Sequence, residues 1–370
     1  MRKLKVVVFI GTRPEAIKLA PVVVELRRRS DRFETVVCAT GQHRELLAQV
    51  LPLFGIVPDY NLDLMRENQS LAALTAGVIT GVDGVLQSES PDWTIVQGDT
   101  TTVMGAALAA FYRGCKVAHV EAGLRTGLKR DPFPEEINRC ITDLLADLYL
   151  APTDCARDNL RREGVADSKI RVTGNTAIDA LLLVRDQPLR NSPLQERLAA
   201  GRRLVLVTAH RRENLGEGLH GICTAVSRLA DAFRDSVQFV FPVHPNPNVG
   251  AMVRRELADR ENVLLVEPLD YAACVDLMAR STLILTDSGG IQEEAPSLHV
   301  PVLVMRRTTE RPEGVEAGVA QLVGTDPEAI TAAAIRLLTD PDERERMAAR
   351  PSPYGDGKAA GRIVDAILDS

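Results

Sequence analysis

No Cys-x-x-Cys pair occurs in this chain. Its six cysteines, Cys38, Cys115, Cys140, Cys155, Cys223 and Cys274, are scattered through 370 residues. In a chain of this size they read as reduced, mostly buried small hydrophobes, which argues against a disulfide frame or a zinc site and sets the expected compartment as the cytoplasm. An excess of one charge is also missing: the net charge is -6, with both signs interspersed. That leaves no electrostatic footprint for nucleic acid, although a local basic cleft for phosphate remains compatible with it. No apolar run reads as long enough to span a bilayer. The opening strand-like run Val6-Val7-Val8-Phe9-Ile10 is too short for a signal-peptide core and continues into Gly-Thr-Arg-Pro without a small-residue cleavage site. The loop after that run, Gly11-Thr12-Arg13-Pro14-Glu15, is neither a Walker loop nor Gly-x-Gly-x-x-Gly, so a close backbone approach to a dinucleotide is not encoded there. No redox cofactor and no metal are therefore expected.

What is present is a repeated alternation of short β-branched runs with longer segments of helical period, the mark of βαβ units on a parallel sheet. The predicted strands of the first half are Lys5–Ile10, Thr35–Thr40, Thr94–Gln97, Lys116–Val120, Leu148–Ala151 and Ile170–Thr173. A poorly patterned stretch, Arg185 to Arg202, interrupts the rhythm with Pro188, Pro193 and Gly201. It restarts with Leu204–Thr208, Gln238–Val243, Val263–Val266, Thr282–Leu285, Pro301–Met305 and Gln321–Val323. Two doubly wound, Rossmann-like α/β domains follow: residues 1–174 joined by a C-terminal helix at 357–370, and residues 175–356. In such sheets the ligand crevice lies at the carboxyl ends of the strands, so two domains facing a cleft should carry their chemistry there.

The loops at those ends hold the polar residues. After the first strand, Gly11-Thr12-Arg13-Pro14-Glu15 leads into a helix through Lys18. Pro14 suits the first helical turn, and Arg13 and Lys18 can flank its free amides as a diphosphate clamp. A helix cap with two solvated charges fits this segment equally well. Asp99, in Gln97-Gly98-Asp99-Thr100-Thr101-Thr102, is placed either to face the crevice or to cap the next helix. Glu121, in His119-Val120-Glu121-Ala122-Gly123-Leu124-Arg125, interrupts an apolar strand end; it is open to pKa tuning or to an Arg125 ion pair. His119 reads as a satisfied interior histidine. Glu135 and Glu136 follow Asp131-Pro132-Phe133-Pro134 in the first turn of a helix, where acids also suit the dipole.

In the second half, Ala209-His210-Arg211-Arg212-Glu213-Asn214 gathers His210 for proton transfer or phosphate contact and Arg211 for an anion. Pro242-Val243-His244-Pro245 presents His244. Thr286-Asp287-Ser288-Gly289-Gly290-Ile291-Gln292-Glu293-Glu294 reads as strand, turn and helix start, with amides for phosphate and Glu294 in reach of ribose hydroxyls. Arg311, in Thr309-Glu310-Arg311-Pro312-Glu313, adds a cation.

Taken in order, these segments, with Gln42-His43-Arg44-Glu45 and Pro353-Tyr354-Gly355-Asp356-Gly357, resemble the non-hydrolysing UDP-N-acetylglucosamine 2-epimerases from end to end. The resemblance implies a GT-B-type fold, a homodimer, and a UDP-sugar in the interdomain cleft. It implies that Arg13, Lys18, Asp99, Glu121, His210, Ser288, Gly289, Gly290, Glu294 and Arg311 contact the nucleotide sugar. Asp99, Glu121 and Glu135 match acids that the family uses in catalysis, with His210 beside them. Gln42, Gln69, Arg211 and His244 are similar to the lining of the family's second, regulatory UDP-N-acetylglucosamine site. The chain departs from the pattern at Glu45, Asn68, Gln97 and Cys274. The implied reaction converts UDP-N-acetylglucosamine to UDP-N-acetylmannosamine through 2-acetamidoglucal, supplying a cell-surface polysaccharide precursor. The rival readings are a hydrolysing 2-epimerase that releases UDP and N-acetylmannosamine, a GT-B glycosyltransferase, and a nucleotide-sugar sensor.

Overall fold

The protein is described here by a computed structural model covering residues 2–41, 49–66, 69–187, 193–211 and 214–370. The chain divides into two compact units, Met1–Val184 with Gly355–Ser370, and Arg185–Tyr354.

In the first unit, strands β1 (Leu4–Ile10), β2 (Phe33–Ala39), β3 (Tyr60–Asn61), β4 (Trp93–Gln97), β5 (Lys116–Val120), β6 (Leu148–Ala151) and β7 (Ile170–Val172) form one sheet. Its order is β3-β2-β1-β4-β5-β6-β7, every pairing parallel. The order reverses between β1 and β4, which are direct neighbours. The run Val6–Ile10 is apolar throughout because both faces are covered. Val6, Val8 and Ile10 enter one core cluster, whereas Val7 and Phe9 enter another on the opposite face. Two residues are too few to show a period, and β3 accordingly escapes a reading by periodicity.

The unit boundary falls after helix Thr176–Arg185 has begun, later than the Gly174/Asn175 division read from sequence. That helix is tied to the C-terminal one, because the buried Asp179 carboxylate accepts from the Ala359 and Ala360 amides at 3.2 and 2.8 Å. Helix Ala359–Leu368 in turn buries Ile363, Val364 and Ile367 with Ala16, Leu19 and Val23 of helix Arg13–Arg28.

One described helix, Leu71–Glu89, is long and apolar enough to cross a membrane by length and composition, which corrects the expectation that no segment is. In this fold Leu74, Val78, Val82, Val85 and Leu86 are buried, and they share a core cluster with Phe9 and Cys38 of the sheet.

In the second unit, β8 (Arg203–Thr208), β9 (Val237–Pro242), β10 (Val263–Val266), β11 (Ser281–Thr286), β12 (Val302–Val304) and β13 (Ala320–Leu322) form a parallel sheet of order β10-β9-β8-β11-β12-β13. Here the reversal lies between β8 and β11. Helices Glu217–Ala232 and Pro327–Thr339 supply Ile222, Val226, Ile330 and Leu337 to its core. Each unit is thus an α/β sheet with one reversal of strand order, the place where sheets of this kind offer a crevice to a ligand.

Candidate active site

At the reversal in the first unit, the loops after β1, β4 and β5 lie together. Helix Arg13–Arg28 begins with Thr12 as N-cap and a proline in its first turn. Glu15, in that turn, is buried rather than solvated. Its carboxylate accepts from the Gly11 amide at 2.6 Å, the Thr12 hydroxyl at 3.0 Å and the Thr100 hydroxyl at 2.8 Å. It therefore stitches the β1 loop to the β4 loop, a role that local pattern did not suggest. The available signal was an acid on the helix face that carries Ala16, Leu19 and Ala20.

Burial pushes the Glu15 carboxyl up from 4.5 to about 7, against the pull of the Gly11, Thr100 and Thr12 donors. The folded chain thus keeps a proton there that the unfolded chain releases above 4.5. The stability this contributes is complete below pH 4.5 and is lost as pH rises through about 7. The difference corresponds to roughly 3 kcal/mol. We predict that Glu15→Gln flattens the decline in urea-denaturation stability between about pH 4.5 and 7. A variant that declines as steeply as its parent would refute the assignment.

Lys18, one turn further along, does not stand free. Its Nζ donates to both Glu121 oxygens, at 2.6 and 2.7 Å. Gln97 Nε2 donates to the same carboxylate. Arg125, the other partner considered for Glu121, instead binds Glu163 and Asp143. Glu121 is also held in the left-handed backbone region, φ 68°. For a non-glycine residue that is a strained conformation, of a kind concentrated at functional sites.

Of the two roles weighed for Asp99, capping is excluded: Thr100 is the N-cap of helix Thr101–Tyr112, and its hydroxyl accepts from Val103 N. The Asp99 carboxylate is bound by Arg139, and its carbonyl accepts from Asn138 Nδ2 at 3.0 Å. Both partners lie on helix Glu135–Leu145, so this helix positions Asp99. The two acids that open the helix divide in function. Glu136 is buried, accepts from the Thr126 and Gly127 amides at 3.0 and 2.9 Å, and takes Arg139 at 3.0 Å. Glu135 is half-buried, and its side chain makes no hydrogen bond or ion pair to another described residue. Arg13 is likewise half-buried at the mouth of the β1 loop.

At the reversal in the second unit, Asp287 is the organising residue, and sequence reading passed over it. It is fully buried and accepts from the His210 amide at 2.9 Å, the Arg211 amide at 2.9 Å and Asn214 Nδ2 at 3.0 Å. His210 Nδ1 lies 3.3 Å from it, and the His210 ring stacks on His244 with centroids 6.0 Å apart. Burial lowers the His210 pKa, with Arg211 and His244 adding to the effect and Asp287 opposing it. The imidazole is therefore poised to be neutral near pH 7 and able to exchange a proton.

Ser288 N–H is turned inward to the Thr286 hydroxyl at 3.0 Å, which leaves Gly289 and Gly290 to present the first-turn amides of helix Gly289–Glu294. A Cβ on Gly289 would lie 3.3 Å from an Arg211 guanidinium nitrogen and 3.6 Å from the guanidinium carbon of Arg311. Two cations therefore face a bare stretch of backbone. The buried Arg211 Nε has no hydrogen-bond partner among the described residues. Arg311 is aimed by Glu293, which accepts from its Nε at 2.7 Å. The loop before it is stiffened by the Arg306–Glu310 pair, and the adjacent guanidinium pulls the Glu310 carboxyl down to about 2. Glu294 is half-buried in the same short helix. Among the residues matched to a regulatory site, Gln69 accepts from the Arg66 amide at 3.2 Å, whereas Gln42 lies outside the described residues, as do Glu45 and Asn68.

The first unit, taken by itself, offers carboxylates held by cations, which suits proton transfer. The second, taken by itself, offers arginines around exposed amides, which suits an anionic group.

A profile of the family described as UDP-N-acetylglucosamine 2-epimerase matches residues 25–368. The UDP-N-acetylglucosamine 2-epimerase of Salmonella typhimurium is 51% identical over 371 residues, 98% of this chain and 98% of that protein. The crystal structure of UDP-GlcNAc 2-epimerase from Neisseria meningitidis bound to UDP-GlcNAc has a TM-score of 0.88 at 44% identity, covering 99% of this chain and 100% of that one. At 14% identity the glycotransferase of kitacinnamycin still gives a TM-score of 0.65 over 100% of this chain and 99% of its own, a likeness of fold alone and of GT-B type.

Proposed function

Because the chain belongs to the UDP-N-acetylglucosamine 2-epimerase family and is an isomerase, we propose that it inverts carbon 2 of UDP-N-acetylglucosamine reversibly, by eliminating UDP and adding it back. The observation that carries this reading is the set of paired acids where the first sheet reverses: Glu121 with Lys18 and Gln97, and Asp99 with Arg139. Such a set can move a proton without a redox cofactor.

The hydrogen on carbon 2 is not adjacent to a carbonyl, so direct deprotonation is prohibitively slow. Departure of UDP from carbon 1 gives the ring oxocarbenium character and acidifies that hydrogen. Asp99 then removes it, leaving 2-acetamidoglucal with UDP retained. Glu121 and Glu135 are the remaining acid–base groups for reprotonation on the other face, and His210 exchanges a proton with the nucleotide. Arg13, Lys18 and Arg311 stabilise the diphosphate with Ser288, Gly289 and Gly290, and Glu294 binds the ribose.

In this reading Arg211 and His244, which share the loops of the second sheet, form part of a regulatory nucleotide-sugar site with Gln42 and Gln69. The chain works as a cytoplasmic homodimer, bound neither to membrane nor to nucleic acid, and feeds polysaccharide synthesis. Exposed Phe111 and Tyr112, side by side at the end of helix Thr101–Tyr112, support a second copy as the covering partner.

The test is incubation with UDP-N-acetylglucosamine in deuterated water, followed by NMR. UDP-N-acetylmannosamine and carbon 2 deuterium should appear together, without accumulation of free UDP. Stoichiometric free UDP would favour the hydrolysing alternative, and unchanged, unlabelled substrate would end the proposal.

A further inference from the structure

Between the acid-bearing segments runs a buried hydrogen-bonded chain that the chemistry above does not use. His119, on β5, is fully buried. Its Nε2 lies 2.8 Å from the Gly98 carbonyl oxygen, and its Nδ1 lies 2.6 Å from Asp143 Oδ1. The other Asp143 oxygen accepts from the Gly123 amide at 3.1 Å and from Arg125 at 2.8 Å. Asn159 closes the far side, donating to the Gly123 carbonyl at 2.9 Å. Gly98 and Gly123 both need the left-handed backbone, φ 84° and 86°, and a Cβ on Gly123 would fall 2.3 Å from the Ala156 carbonyl oxygen.

Each end of this chain reaches one of the segments that matter. Gly98 immediately precedes Asp99. Gly123 and His119 flank Glu121 at two residues on either side. Asp143 lies on the same helix as Glu135. The Gly98 carbonyl can only accept, so His119 Nε2 donates to it, while Nδ1 is paired with Asp143 Oδ1. Burial works against charge on Asp143, but His119 and Arg125 outweigh it and hold its carboxyl below the usual range. The chain is thus a charge-assisted tie between three elements, stronger than neutral hydrogen bonds of the same length.

We propose that His119 and Asp143 are positioning residues for the reaction, holding the segments of Asp99, Glu121 and Glu135 in mutual register. The inference rests on the assignment of those three acids to the chemistry. Such a tie acts on the geometry of proton transfer rather than on substrate binding, and a displacement of about 1 Å can cost on the order of 100-fold in rate.

The test uses the purified full chain, with kcat and KM for epimerisation and carbon 2 deuterium exchange measured together. His119→Asn keeps a donor near Asp143 but falls short of Gly98; His119→Gln reaches toward Gly98. The Asn variant should lose roughly 30-fold in kcat and the Gln variant only about threefold, each with KM within about twofold of the parent. Asp143→Asn should lose kcat by an amount similar to His119→Asn. Folded variants with unchanged kcat, or with losses confined to KM, would overturn the proposal. Should neither His119 variant fold, the same split is read on Asp143→Asn; a chain that folds with none of the three shows a scaffold role instead. A wild type that leaves carbon 2 unlabelled removes the underlying reading and is recognised before any variant is compared.

Discussion

Asp99→Asn is expected to lose carbon 2 hydrogen exchange along with epimerisation, a fall of about 1,000-fold or more, the range associated with removal of a general base. Glu121→Gln and Glu135→Gln should slow epimerisation while retaining exchange. The contrast follows from the surroundings of each acid. Asp99 is aimed by Arg139 and by Asn138 on its carbonyl, yet its side chain remains 28% exposed and accessible to a ligand. Glu121 is gripped by a lysine and a glutamine, and is better placed to stabilise than to abstract. Full deuterium incorporation by Asp99→Asn would defeat the assignment of the base, whatever happened to the overall rate.

The second large effect is expected from Asp287→Ala. Removing this fully buried carboxylate takes the acceptor from the His210 and Arg211 amides and leaves Asn214 Nδ2 only its bond to the Met305 carbonyl. Each unsatisfied donor costs about 1–3 kcal/mol, so destabilisation of several kcal/mol is predicted. The loop that presents His210 and Arg211 should loosen with it, and kcat/KM should drop by about 100-fold or more. Urea denaturation and steady-state kinetics on the same preparation check both parts. A variant of parental stability with parental turnover would show that the loop is held by other means.

Much of this architecture was legible in the sequence because the central strands are buried on two faces, which makes runs such as Val6–Ile10 and Leu204–Val207 continuously apolar. The polar residues after those runs were also visible as interruptions: Asp99, Glu121, His210 and the Ser288–Gly290 turn. Their partners were not visible. Arg139 meets Asp99, Lys18 meets Glu121 and Asp287 meets His210 across separations set by the strand order, so no local spacing records them. Where two local roles competed, only the fold could decide. Thr100 took the cap and released Asp99, while Asp143 and Glu163 took Arg125 and released Glu121. His119, read as an interior histidine, is satisfied at both nitrogens, but by groups that give its position more weight than packing alone. Glu15 and Glu136 show the limit from the other side: Glu136 reads as a partner of the helix dipole and Glu15 carries no assigned role, yet both are buried acceptors of backbone amides.

The helix Ala359–Leu368 belongs to the core of the first unit, although the whole second unit separates it from the rest of that core in the chain. During synthesis, Arg185–Tyr354 can therefore reach its native packing while Ala16, Leu19 and Val23 still lack their partners Ile363, Val364 and Ile367. The half of the protein made first is the half completed last. Until residues 359–368 emerge from the ribosome, its apolar patch is open to chaperones and to neighbouring chains.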